Sequence, residues 1–492
     1  MQLSLLLDTN VIIQFEEVGP DRKLKDKFQQ LHALMVEHSI PFNYHPLTEN
    51  DLDNDKDRDR LGEMLSRLKK YPKLDQPPLA DGPDLEKQFG GMKKTNDVVD
   101  CQLLFAVRRN CATYLISEDD GLHKRARNAG LEDRVLFVQE AIDLIIRRYK
   151  PQTIQLPNVN HEYLYSLDLS NSFFDSLKAD YNGFEGWIAK NSKRRCWTIK
   201  VNGNLAGLCI YKHDESVEHH GIPMPSMKLC TFKVADEHNG RKFGELLLKM
   251  AHQHAVKNKM EGMWVTTHEK QGALIHFLTT FGFRVHSDLK GKDMIFYKIM
   301  NPPVDLPSMS PLEFHVLYSP HVFDDPKIKK FVIPIQSQFH DALFPEVTPQ
   351  PTLAGLPTGD SVPENTIRKV YLSHSRITTL EPGSLIYFYR SSPEQYIHTF
   401  AIIERARRLS DMDSLAAAIG KRSVYSTDEV EKMIEKEVLV IDFRLIAHSE
   451  KPIELAELTK TAIFNQRPPQ SIMELPHERY QKLKRLWLKH NS

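Results

Sequence analysis

One stretch limits what this chain can fold into more than any other. Ser226 to Val234 reads SMKLCTFKV, an apolar run of strand length, and NGRKFGELLLKMAHQHAVKN (Asn239–Asn258) follows after a short loop. The second run is amphipathic and is entered through Gly240 and Gly244. A strand feeding a helix through glycines demands a sheet with a helix laid on it. It also leaves the free N–H groups of a helix N-terminus beside a loop that a pyrophosphate can approach closely. The surrounding signals agree. CWTIKVNG and LAGLCIYK, joined at Asn202–Gly203, predict a hairpin, since an NG dipeptide between apolar runs suits its tight turn. MWVTT, GALIHFLTTFGF and MIFYKIM then predict a strand, a helix and a last strand, so that this unit extends from about Tyr163 to Met300.

A chain of 492 residues is too long for a single core, and two to four domains are expected. Residues 1–150 alternate short apolar runs with amphipathic stretches, the pattern of an α/β domain with a parallel sheet. LSLLLD (Leu3–Asp8) and TYLIS (Thr113–Ser117) read as buried strands, DVVDCQLLFAVRRN (Asp97–Asn110) as a helix, and the Pro-, Gly- and Asp-rich Asp75–Gly91 as a loop. Residues 151–300 hold the strand–glycine–helix unit, and NPPVDLPSMSP (Asn301–Pro311) reads as a linker. In residues 312–492, KKFVIPI, SLIYFYRS, TFAIIERARR and EVLVIDFRLI read as strands around a Pro/Gly/Thr-rich loop, Thr348–Glu364. That last domain is expected to be mostly β with few helices. The fold class is therefore multidomain, α/β and α+β.

Sixty-five basic and 65 acidic side chains cancel, which excludes a protein that coats nucleic acid by charge alone but not a local basic groove. No apolar run is long enough to span a membrane, and Asp8 interrupts the apolar N-terminus too early for a secretory signal. Cys101, Cys111, Cys196, Cys209 and Cys230 show no CxxC spacing, so they read as free thiols in a reducing compartment, and the cytoplasm is expected.

Asp8 directly follows the first strand in LLLDTNVII, at the end of a parallel strand where ligand sites form. Glu49 lies in NYHPLTENDLDND, Asp97 and Asp100 open the predicted helix, and Asp119 and Asp120 follow TYLIS. Carboxylates converging on one sheet edge would repel one another without a cation and make a hard oxygen cage for Mg²⁺ or Mn²⁺. The DTNV after strand one, the mid-domain Glu, the helix opened by Asp and the S-E-D-x-x-L ending resemble the PIN nuclease family over roughly the first 140 residues. The resemblance implies that Asp8, Glu49, Asp100 and Asp119 hold the metal that activates water against an RNA phosphodiester, with Asn10 and Ser117 supporting them. Asp97 competes with or joins Asp100, and Asp51 and Asp53 compete with Glu49.

The strand–glycine–helix unit with its later IHFLTTFGF resembles the GNAT acetyltransferase superfamily. That implies acetyl-CoA as cofactor, its pantetheine arm beside Phe232 and Val234 on a strand splayed from its neighbour. Its pyrophosphate would lie on Asn239, Gly240, Arg241, Lys242, Phe243 and Gly244. The sequence departs from the family pattern twice: Leu246 replaces the last small residue of R/Q-x-x-G-x-G/A, and Leu278 stands where a tyrosine often protonates the departing thiolate. Tyr297 is a substitute acid, and Glu218, His219 and His220 are candidate bases on chemistry alone.

In the last domain, the Pro-Gly turn of EPGSLIYFYRS feeds an aromatic strand, and L-x-P-G-S-x-I-x-F-Y is similar to the PUA-like superfamily with its ASCH and EVE branches. This resemblance implies a small β-barrel associated with RNA. Arg390, the run Arg405, Arg407, Arg408, and Lys421 with Arg422 interleave with aromatics, as single-stranded RNA binding requires; a solvated strand edge gives the same pattern. Together the resemblances imply a metal-dependent ribonuclease joined to an N-acetyltransferase, acting on or regulated by RNA (tRNA included), in a toxin-like or defence-related setting. Two alternatives remain open. One is an acetyltransferase of a protein or small amine whose first domain only binds; the other is an acetyl-CoA sensor that gates the nuclease. The oligomeric state stays open.

Overall fold

The computed structural model describes the chain apart from residues 1–2, 17–21, 50–65, 67, 93–94, 150–157, 202, 215–221, 239, 270, 287–292, 307, 348–365, 421–423, 426, 466 and 492. It forms two compact units. Unit 1 comprises Met1–Thr153, Glu237–Arg241 and Leu409–Glu437; unit 2 comprises Ile154–Asp236, Lys242–Arg408 and Val438–Ser492.

Unit 1 is built on four parallel strands, β1 (Leu5–Leu7), β2 (Phe42–Tyr44), β3 (Tyr114–Ile116) and β4 (Val135–Leu136), in the order β2-β1-β3-β4. β1 and β3 are buried throughout, which is why LLL and YLI show no polar alternation. Leu5 and Leu7 pack with Leu31 and Ile142 on one face, while Leu6 packs with Leu103 and Leu104 on the other. The segment read as a loop, Asp75–Gly91, contains a helix, Gly82–Phe89. Its Pro, Gly and Asp residues are the helix's own punctuation. Asp81 Oδ1 accepts from the Asp84 N–H at 2.9 Å, Pro83 sits in the first turn, and Gly90 closes the end with φ +87°. Leu85 and Phe89, four residues apart, are the buried stripe. Leu409–Glu437 adds the helices Met412–Ile419 and Thr427–Ile434, and Tyr114 Oη donates to the Ala416 carbonyl at 2.9 Å.

Unit 2 holds two sheets. The first has the order β10-β11-β9-β8-β7-β6-β5, from β5 (Asn158–Tyr163), β6 (Arg195–Val201), β7 (Asn204–Asp214), β8 (Ser226–Val234), β9 (Gly262–His268), β10 (Arg284–His286) and β11 (Asp293–Ile299). All its neighbours are antiparallel except β8 and β9, which flank the helix Phe243–Lys257 in sequence. That helix and Gly272–Thr280 close one face over Leu229, Leu247 and Phe283; Phe173, Phe174 and Phe184 cover the other face over Leu208 and Ile210.

The second sheet runs β13-β16-β15-β14-β12-β17, from β12 (Lys330–Ile335), β13 (Arg368–Ser373), β14 (Leu385–Arg390), β15 (Tyr396–Leu409), β16 (Val438–Glu454) and β17 (Met473–Glu474). It curls enough for Tyr371 Oη on the edge strand β13 to donate to the Pro334 carbonyl of β12 at 3.2 Å. Among the described residues no ladder joins β13 to β17, so this curl stops short of a hydrogen-bonded closed barrel. Helices are more numerous here than the sequence pattern suggests. The longest, His477–Lys489, lays Tyr480, Leu483 and Trp487 against Tyr387 and Phe400. The linker segment ends in a capped helix, Pro311–Tyr318, whose first turn is fixed by Ser310 Oγ accepting from Glu313 N–H at 3.2 Å.

Candidate functional site

The first sheet opens at one place. β8 pairs with β9 only from Ser226↔Gly262 to Leu229↔Val265, although both strands continue past that point. On its other side β8 pairs with β7 along its length, with a bulge: Ile210 faces Thr231 and Tyr211 faces Leu229, leaving Cys230 as the extra residue. A bulge bends its strand and adds twist, so the bulge at Cys230 gives the reason the two parallel strands part there. Among the described residues the β8–β9 ladder ends at Leu229, and the edge of β8 beyond it opens towards an extended polar chain. Phe232 and Val234, both half-buried, pack on the core beneath, Phe232 at 5.7 Å from Phe277.

The helix Phe243–Lys257 begins just beyond. Its N-cap position is Lys242 in the left-handed conformation (φ +59°), and the Lys242 side chain makes no capping hydrogen bond. Glu245 is in that turn, but its carboxylate is buried and accepts from the Ile367 N–H at 3.0 Å. Phe243 is a core residue and contributes only its backbone, whereas a Cβ at Gly244 would meet Phe277 and Phe232 at ordinary contact distances. The N–H groups of Gly244 and Glu245 lie in the first turn of this helix, where the positive end of its dipole suits an anion. An acetyl-CoA pantetheine arm fits the edge of β8 beyond Leu229, and its pyrophosphate fits this helix end.

The rest of the predicted loop behaves differently. Glu237–Arg241 belongs to unit 1, and Asn239 lies outside the described residues. Gly240, at φ +93°, lies so close to Glu140 that an added Cβ would stand 1.9 Å from its Cγ. Arg241 Nε is 3.6 Å from Asp143 Oδ2. Burial, with Arg241 beside it, lowers His238 to about 4. Two carboxylates of the helix Val138–Tyr149 thus occupy the surroundings of Gly240 and Arg241.

Leu278 is fully enclosed in hydrocarbon and supplies no proton. Tyr297 lies on β11 opposite Trp264, one strand removed from the cleft. Glu218, His219 and His220 fall outside the described residues. Two groups to which the sequence reading assigned no part in the site stand near the opening. His268 ends β9 on its splayed side, and its ring stacks with Tyr181 at 6.2 Å. Burial raises the Cys230 thiol, even with Arg194 Nη1 at 3.5 Å from Sγ. Neither pattern nor spacing marks these residues, because their neighbourhood depends on where β8 leaves β9.

In unit 1, Asp8, Asn10, Ser117 and Asp119 come together. Ser117 Oγ donates to Asp8 Oδ2 at 2.6 Å and accepts from the Asp119 N–H at 3.0 Å and from Asn10 Nδ2 at 3.4 Å. Asp119 Oδ1 in turn caps the helix Asp120–Asn128 through Leu122 N–H at 2.7 Å. Glu49 and Asp97 are engaged elsewhere. Lys73 and the Tyr44 hydroxyl hold Glu49 at 3.0 and 2.8 Å and lower its pKa; Asp97 pairs with Arg125 at 3.1 Å. Asp100 is half-buried on the same helix, and Asp51 and Asp53 lie outside the described residues. Among the described residues no three His, Cys, Asp or Glu side chains stand together as a metal site. The expected four-acid cage for Mg²⁺ or Mn²⁺ does not fit these positions.

The basic residues of the last domain are largely spent on internal partners. Arg390 is buried and bonds Asp341, Glu394 and the Tyr396 hydroxyl, so it is a structural ion pair and not a phosphate contact. Arg405 and Arg407 both donate to Asp442, at 2.9 and 2.8 Å, and Arg408 donates to the carbonyls of Ser375 and Ile377. Only Arg405, with a side chain 58% exposed, stands well out in solvent among these four. Lys421 and Arg422 lie outside the described residues. All five cysteines are free, and no helix among the described residues is long and apolar enough to cross a membrane.

Residues 161–283, which include the bulge, the cleft and the helix entrance, match the acetyltransferase (GNAT) family. The chain carries a GNAT acetyltransferase domain. No curated protein matches the sequence. Similar solved structures include ASCH from Zymomonas mobilis, 22% identical, covering 32% of this chain and 95% of that one with a TM-score of 0.26. The IAA acetyltransferase from Bacillus cereus is 18% identical, covering 29% of this chain and 97% of that one, TM-score 0.23. The PaiA N-acetyltransferase from Thermoplasma acidophilum, in complex with coenzyme A, is 19% identical over 29% of this chain and 99% of that one, TM-score 0.22.

Proposed function

We propose that the chain transfers the acetyl group of acetyl-CoA to an amine at the cleft between β8 and β9. The observation that carries this reading is the coincidence of the Cys230 bulge with the end of β8–β9 pairing, just before the start of the helix Phe243–Lys257. Acetyl-CoA, when bound, supplies an acyl group already activated as a thioester. The chain's own contribution is chiefly placement. The edge of Cys230–Val234 holds the pantetheine amides by backbone hydrogen bonds, and the helix entrance at Phe243–Glu245 holds the pyrophosphate. The acceptor must arrive as a neutral amine and lose a proton. Leu278 handles none, so proton transfer falls to groups at the mouth, of which His268 and Tyr181 are the described pair. Calorimetric titration of the full chain with coenzyme A, followed by thiol release from acetyl-CoA over a panel of amines, tests this. Saturable binding with amine-dependent thiol release is expected; no affinity for coenzyme A overturns the reading.

A ribonuclease activity in unit 1 is a second proposal, supported by the Asp8–Asn10–Ser117–Asp119 cluster at the carboxyl ends of β1 and β3. Since the acids do not assemble into a metal cage, no metal-dependent step is derived for it. Labelled RNA in Mg²⁺ or Mn²⁺, incubated with wild type and with Asp8→Asn, decides the matter. Cleavage by wild type alone supports it; no cleavage by either protein removes it. Mobility shift of the same RNA tests the last domain as its partner.

A further inference from the structure

Unit 2 contains a pocket built from none of the cleft residues, about 660 Å³ counting its open mouth. Its walls come from the helices Phe243–Lys257 and Pro311–Tyr318 together with β11 and β16, and they are mostly hydrocarbon, including Leu248, Phe283, Val316 and Ile446. Two buried cations line it. Lys298, 3% exposed, donates from Nζ to the Val316 carbonyl at 2.7 Å and the Leu317 carbonyl at 3.1 Å. An ammonium has three N–H groups, so one is left over. The charged groups that act on Lys298 are Arg444 and Arg284, both of its own sign, and burial beside them pushes it down to about 7. Arg444, 7% exposed, donates through Nε to Glu404 and lies over the Phe281 ring at 5.6 Å. Among the described residues its terminal nitrogens donate no further hydrogen bond.

Three imidazoles also reach the lining: His448, with Nδ1 3.0 Å from the Thr399 hydroxyl, and two rings that face backbone carbonyls. His252 Nε2 is 2.8 Å from the Ser319 carbonyl, and His315 Nδ1 is 3.1 Å from the His321 carbonyl. A carbonyl only accepts, so each ring uses a nitrogen as donor there. Burial lowers the two histidines to about 4 and about 3, which keeps both neutral with a lone pair on the remaining nitrogen. The pocket therefore presents unused cationic donors, two neutral acceptors and an apolar wall. Arg444 already has Glu404, but Lys298 is held there by carbonyls alone with no acid among the charged groups that act on it. That is costly, and an arriving anion removes the cost. A carboxylate matches the planar fork of a guanidinium and takes the spare ammonium N–H on its second face; the hydrocarbon wall suits an apolar body behind it.

We propose that this pocket binds a small organic acid, a carboxylate carried on a short apolar chain. The full-length protein, titrated calorimetrically with straight-chain carboxylates from butanoate to octanoate, tests it. Each acid is paired with its primary alcohol, and inorganic phosphate serves as the bare anion. One-to-one saturable binding of at least one acid is expected, tighter than its alcohol by about tenfold or more. Equal affinity for acid and alcohol, equal affinity for phosphate, or no binding across the series each overturns the proposal. Lys298→Met is expected to weaken the acid by about tenfold while coenzyme A binding stays unchanged. Should that variant fail to fold, Leu248→Trp fills the pocket from one helix and is expected to abolish acid binding. Undiminished binding in whichever variant folds overturns the proposal, because the acid would then sit elsewhere.

Discussion

Two helices of this protein begin where ligands were expected, and they begin in opposite ways. Asp119 closes the entrance of Asp120–Asn128 with its own carboxylate, accepting from Leu122 N–H at 2.7 Å. Lys242 leads into Phe243–Lys257 in a left-handed conformation and its side chain makes no capping hydrogen bond, while the nearest acid, Glu245, is turned away to the Ile367 N–H. A helix N-terminus that satisfies itself has little left for a ligand; one that stays open is an anion site awaiting its anion. On the proposed function, the difference favours the second entrance as the place for the pyrophosphate. In the first, it reads a predicted metal acid as a helix cap.

The largest expected effect sharpens this contrast. Gly244→Glu places a carboxylate in the entrance, where the nearest atoms to a Cβ, those of Phe277 and Phe232, lie at ordinary contact distance. The fold is expected to survive, while coenzyme A affinity falls by about a hundredfold through charge repulsion at the helix end. Calorimetry checks the affinity and thermal melting checks the fold. Unchanged affinity would break the comparison at its stronger side.

How much of this was legible in the sequence depends on whether the signal was local. LLL and YLI read correctly as strands because burial on both faces removes alternation, and both hairpin strands were legible on either side of Asn202–Gly203. The helix entrance was legible because strand, glycines and helix are contiguous. The Cys230 bulge was not, since it exists only in the register between β7 and β8. Arg390 misled for a related reason: an Arg after two tyrosines looks the same whether it faces solvent or a buried pair, and its partners Asp341 and Glu394 become neighbours only in the fold. Asp81, Pro83 and Gly90 looked like loop residues, yet they cap a helix whose apolar positions, Leu85 and Phe89, are too few to announce it.

A smaller effect concerns the acids around Arg241. Its Nε is 3.6 Å from Asp143, whose Oδ1 also accepts from Gln139 Nε2 at 2.9 Å. Asp143→Asn keeps the Gln139 hydrogen bond and removes the competing charge. If Arg241 serves the pyrophosphate, coenzyme A should bind a few-fold tighter, on the order of what one ion pair contributes. Unchanged or weaker binding would mean that Arg241 belongs to unit 1 alone, and that the open entrance begins at Lys242.

The smallest effect probes the closed entrance. Asp119→Ala removes the cap from Leu122 N–H and should cost about 1 kcal/mol of unit 1 stability, while Asp119→Asn keeps an acceptor oxygen and should cost much less. Urea unfolding of wild type and both variants measures this. Labelled RNA run on the same three proteins gives the comparison its sharpest edge. A cap predicts that any RNA cleavage follows stability, so Asp119→Asn stays close to wild type. Cleavage lost in a fully stable Asp119→Asn protein would instead require the negative charge itself. The first entrance would then be a reactive site after all, with the Leu122 N–H holding the carboxylate in position for it.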